Sequence, residues 1–142
     1  MYPPRWGHPM SYVLVVAISL HVLAAVFWAG STAALARTGG SETKRLFRPQ
    51  MGAAAVAILT GGYLWHTIHQ GALGPMERSL MIGALSAFAA LIVQVAVVGG
   101  ALREARAEAG DAVLPARVLI AHRVAAGLLM IAIVTMAAAR YV

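Results

Sequence analysis

Five histidines and seven methionines, with no cysteine, are the metal-ligating side chains available to this chain of 142 residues. Without thiols, disulfides, thiolate metal sites, iron–sulfur clusters and cysteine nucleophiles are excluded. Imidazole and thioether leave two chemistries open, haem ligation and copper binding. No H-E-x-x-H motif occurs, and the five acids fall outside the long apolar runs, which argues against a zinc or di-metal hydrolase. His21 and His66 stand inside such runs, whereas His8, His69, Met10 and Met76 flank them. His122 stands inside another run beside Arg123.

The elements that position these residues follow from the charge distribution. Apolar residues make up 61% of the chain and charged residues 11%, against about 25% charged in an ordinary soluble domain. That balance excludes a water-soluble globule, a disordered chain and a nucleic-acid-binding module, despite a net charge of +6. Long uncharged windows predict four membrane spans near residues 11–36, 48–70, 79–102 and 117–140. Lipid offers no partner to an open backbone, so each span is expected to be helical. The expected fold is an all-α integral membrane protein, a single four-helix bundle running up-down-up-down. Ala34-Leu35-Ala36 resembles a signal-peptidase site, but the run before it is too long and holds His21, so it is read as a retained span.

Loop charges give the orientation. Arg37, Lys44, Arg45 and Arg48 cluster between spans 1 and 2, and Arg103, Arg106 and Arg117 between spans 3 and 4. The positive-inside rule puts both loops in the cytoplasm and both termini outside, and the expected location is a bacterial inner membrane with periplasmic termini. Trp6, Tyr12, Tyr63, Trp65 and Tyr141 then form an aromatic belt at the outer interface. Pro49 and Pro115 suit helix starts.

If residues 35 and 49 are level, His21 lies opposite residue 63, and His66 is about 4–5 Å further out. This makes His21 and His66 candidate axial ligands of a haem b, with Gly61 and Gly62 leaving room for the porphyrin edge. The alternative is a copper site at the outer mouth, built from His8, Met10, His66, His69 and Met76 with His21 deeper. A third reading makes the histidines hydrogen-bonded glue between helices in a structural or accessory subunit. His122, Gln94, Trp28 and Ser31 come out at one height in the inner half and are expected to form a polar cluster, with Arg123 snorkelling beside it. His122 lies more than about 12 Å from His21 in height, too far to share a metal.

The first span carries His21 and Trp28-Ala29-Gly30 in an H-x6-W-x-G pattern, and the second carries Thr60-Gly61-Gly62 followed by Tyr63. The fourth carries Ala121-His122-Arg123 with Gly127 and ends on Ala139-Arg140-Tyr141. Over nearly its whole length the chain resembles the copper resistance protein D (CopD) type of membrane domain, and more distantly the HemJ-type protoporphyrinogen oxidases. The first resemblance implies copper handling at the inner membrane. The second implies a haem-dependent membrane oxidoreductase in which a first-helix histidine, here His21, matters. In the haem reading, electrons pass between quinol or another donor and a periplasmic partner. The small residues along the spans also suit close packing into a homodimer.

Overall fold

The fold is known from a computed structural model that describes residues 9–68, 74–107 and 116–141, with side chains from residue 12 onward. The described residues are helical throughout their long segments and contain no strand. Helix α1 spans Pro9–Arg37 and α2 spans Thr43–Ile68. Helix α3 (Pro75–Val93) continues through a π-helical turn, Gln94–Val98, into α4 (Gly99–Ala107). Helix α5 spans Ala116–Ala138 and closes with a 3-10 turn, Ala139–Tyr141. Among the described residues, four stretches are long and apolar enough to cross a membrane: Tyr12–Arg37, Thr43–Ile68, Pro75–Ala107 and Ala116–Tyr141. This is a multi-pass membrane protein, and its apolar helices suit contact with a lipid bilayer.

Each end has a local cause. Gly39 and Gly40 take φ of +73° and +78°, a left-handed pair that stops α1, with the Gly40 N–H reaching back to the Leu35 carbonyl at 3.0 Å. Only three residues later α2 begins, so the connection is tighter than the one expected between residues 36 and 48. Pro49 therefore lies inside α2 rather than at its start, where it leaves one carbonyl of the first turns unpaired. The start of α3 follows the expected chemistry. Pro75 opens the helix, and the Glu77 carboxylate accepts the Gly74 N–H at 2.9 Å.

The protein is inside-out by size rather than by polarity. Trp28 is surrounded by Ala54, Ala57, Ala90, Ala125 and Leu129, and Val98, Ala101, Leu102, Val118 and Ala121 fill the lower core. Large apolar side chains such as Leu23, Leu59, Leu85 and Met130 point outward. Between helices in lipid there is no hydrophobic drive, so contact favours small residues that let backbones approach. At Gly83 an added Cβ would meet Thr135 and Met136 side-chain atoms at 2.8 Å and the Ala132 carbonyl at 3.2 Å, which records how closely α3 and α5 approach. Helix α1 packs along α2 and α5, and α5 packs along α3. The seam between α2 and the α3–α4 span is the wider one.

Candidate functional site

His21 lies on the inward stripe of α1 with Ala17, Ala24 and Trp28, and is half-buried. Its Nδ1 is 2.8 Å from the Ala57 carbonyl and 3.2 Å from Thr60 Oγ1. A carbonyl can only accept, and the Thr60 hydroxyl already donates to the Val56 carbonyl at 2.6 Å. Nδ1 therefore carries the proton and shares it between two acceptors. In the neutral ring Nε2 is then the atom with the free lone pair, and it makes no hydrogen bond among the described residues. A backbone carbonyl holding Nδ1–H is the arrangement that fixes tautomer and ring direction in ligating histidines. The ring packs on Gly61, where an added Cβ would stand 3.0 Å from His21 Cε1. Gly62, by contrast, faces open space.

His66 is elsewhere. It is nine residues from Ala57, which at about 100° per residue puts it on the opposite side of α2, and it is about 7.5 Å beyond Gly61 along the axis. It is exposed. The expected face-to-face pair of His21 and His66 is thus not formed within the chain. The tight turn at Gly39-Gly40 is the cause: it sets His21 against residues 57–61 instead of residue 63, about a turn away from the expected register. Met76 is half-buried in the first turn of α3. His8 and His69, and the side chain of Met10, lie outside the described residues. Among the described residues no three of His, Asp or Glu gather as a metal-binding group.

The other half of the bundle holds a buried polar network. Trp28 Nε1 donates to Gln94 Oε1 at 2.7 Å, and Gln94 Nε2 donates to Thr32 Oγ1 at 2.9 Å. Gln50 Nε2 donates to the same Thr32 oxygen at 3.1 Å, while the Thr32 hydroxyl donates to the Trp28 carbonyl at 2.7 Å. Thr32, Gln50 and Gln94 have no exposed surface. The expected link between Trp28 and Gln94 is present, but two further expectations are corrected. Ser31 donates to the Phe27 and Trp28 carbonyls of its own helix, and Thr32, one residue on, takes its place in the network. His122 is not joined to Gln94: its Nε2 lies 3.1 Å from Thr43 Oγ1, nearer the basic end than expected, and its Nδ1 is buried without a partner. Arg123 is exposed and apart from the network.

No protein-family model, curated protein or solved structure matches the chain. Sequence reasoning missed Gln50, Thr32 and Thr43 and gave Thr60 no role at the site; all are polar residues of helices. Spacing carries part of the signal: Thr43, Gln50, Ala54 and Ala57 share one buried stripe of α2, and Thr32 follows Trp28 by one turn. The π turn that begins at Gln94 was also unforeseen, and such turns recur at functional sites.

Proposed function

We propose that the chain is a membrane redox protein that holds haem b through Nε2 of His21. The observation that supports this reading is the doubly accepted Nδ1–H of His21, which leaves a preset nitrogen lone pair inside a membrane span. A porphyrin brings its own equatorial donors, so one oriented imidazole is a sufficient protein ligand. A copper ion needs several protein donors at once, and His21 has no such companion among the described residues. His21 alone would hold the group through its imidazole, and a His21–His66 pair within one chain would not. Bound there, a haem supplies one-electron chemistry. The chain's own part is to orient the imidazole through Ala57 and Thr60, to seat its ring against Gly61, where it fills the space expected for the porphyrin edge, and to keep water from the site with apolar spans. In this reading the basic loops face the cytoplasm of a bacterial cell, and the His21 half of the bundle faces the periplasm and its redox partner or quinol.

Absorption spectroscopy and elemental analysis of the detergent-purified protein test the proposal. A Soret band with iron near one per chain is the expected result. A colourless protein with stoichiometric copper would overturn it in favour of capture through His8, Met10, His66, His69 and Met76.

A further inference from the structure

The wide seam between α2 and α4 contains a cleft of about 290 Å³ lined by Phe47, Arg48, Met51, Val95, Gly99, Leu102, Arg103 and Arg106. Two stripes face each other across it. Phe47, Arg48 and Met51 lie on one face of α2, and Gly99, Leu102, Arg103 and Arg106 recur at i, i+3, i+4 and i+7 on α4. The π turn separates cleft from core: Gln94 and Val98 are buried, while Val95 and Gly99 line the cleft. Gly99 keeps the cleft open at its narrow point, because a Cβ there would stand 3.3 Å from Phe47 Cζ.

Charge and shape together select an occupant. The lining carries three guanidinium groups and no acid. Glu104, the nearest acid on α4, is committed to an ion pair with Arg117. Arg48, Arg103 and Arg106 are exposed and make no ion pair among the described residues. Below them the lining is apolar. Met51 and Val95 follow directly on Gln50 and Gln94, so the cleft floor reaches the depth of the buried network. A site that is cationic at the rim and greasy toward the bilayer interior matches an amphiphile with an anionic head, and planar guanidinium forks suit phosphate oxygens. Basic pockets between spans at one membrane face take the headgroups of anionic lipids in this way.

We infer that the α2–α4 cleft is a binding site for an anionic phospholipid of the surrounding bilayer, with its phosphate on Arg48, Arg103 and Arg106 and an acyl chain along Met51, Val95 and Leu102. The inference rests on the membrane-spanning fold and is independent of any haem.

Native mass spectrometry of the full chain, titrated with phosphatidylglycerol or with phosphatidylcholine of the same acyl chains, provides the test. One phosphatidylglycerol per chain is expected to bind in clear preference to phosphatidylcholine. The triple variant R48Q/R103Q/R106Q removes three exposed charges that make no ion pair among the described residues and is expected to bind it on the order of a hundredfold more weakly. Val95→Trp keeps all three charges but fills the floor, and is expected to lose the site as well. The double variant K44Q/R45Q, which removes two charges of the same end outside the lining, is expected to bind within about threefold of the parent. Equal binding of both lipids, retention by the triple variant or by Val95→Trp, or equal loss in K44Q/R45Q would overturn the inference. So would displacement of the lipid by inorganic phosphate alone, since that would make the site one for the free anion.

Discussion

At the scale of single residues, the buried polar atoms divide into those whose partners are complete and those without one among the described residues, Gln50 Oε1 and His122 Nδ1. Thr32 Oγ1 accepts from both Gln50 and Gln94 while donating to its own helix, so its hydrogen-bonding capacity is filled. Trp28 depends on one acceptor, Gln94 Oε1. Gln94→Leu is expected to cost about 1–3 kcal/mol by stranding the indole N–H, whereas Ser31→Ala, which removes only bonds to carbonyls of its own helix, is expected to change stability by less than about 0.5 kcal/mol. Thermal unfolding of both variants in detergent checks the pair, and equal losses would show that the network is not what holds Trp28. Trp28 and Gln94 were legible from their matching depth. Thr32 and Gln50 were not, because a threonine or glutamine within a helix can satisfy itself locally and its sequence context does not say which way it faces.

Among the elements, the α1–α2 pair carries the site and the turn between them sets its register. The sequence marks the spans well, since charges bound them and lipid demands helices between. It marks the faces poorly: the outward and inward sides of these helices are both apolar and differ mainly in side-chain size. A shift of about one turn in the α1–α2 register was enough to replace His66 by Ala57, Thr60 and Gly61 opposite His21. Gly61 is the point of closest approach, so Gly61→Val is expected to push the His21 ring aside and to destabilise the pair by about 1–3 kcal/mol. Gly62→Ala faces open space and is expected to be neutral, or stabilising by up to about 1 kcal/mol through helix propensity. Equilibrium unfolding of the two variants in mild detergent distinguishes them, and a harmless Gly61→Val would contradict the packing described for His21.

At the scale of the whole molecule, the basic residues collect at the end that holds the α1–α2 turn, the lipid cleft and His122, while His21 belongs to the other half. Tyr12, Tyr63 and Tyr141 are exposed toward that other end, as interfacial aromatics would be. The positive-inside rule predicts that the α1–α2 turn is cytoplasmic. Because the chain lacks cysteine, a single Ser41→Cys reports on this cleanly: a membrane-impermeant maleimide is expected to label it only after the cells are opened. Labelling of intact cells would reverse the orientation and place the His21 half toward the cytoplasm. Haem binding depends on His21 alone, and the visible spectra of the parent, His21→Ala and His66→Ala proteins, each purified in detergent and recorded oxidised and reduced, test it. A haem spectrum is expected in the parent, lost in His21→Ala and unchanged in His66→Ala. A haem spectrum that survives in His21→Ala, or one that is lost in His66→Ala, would contradict it.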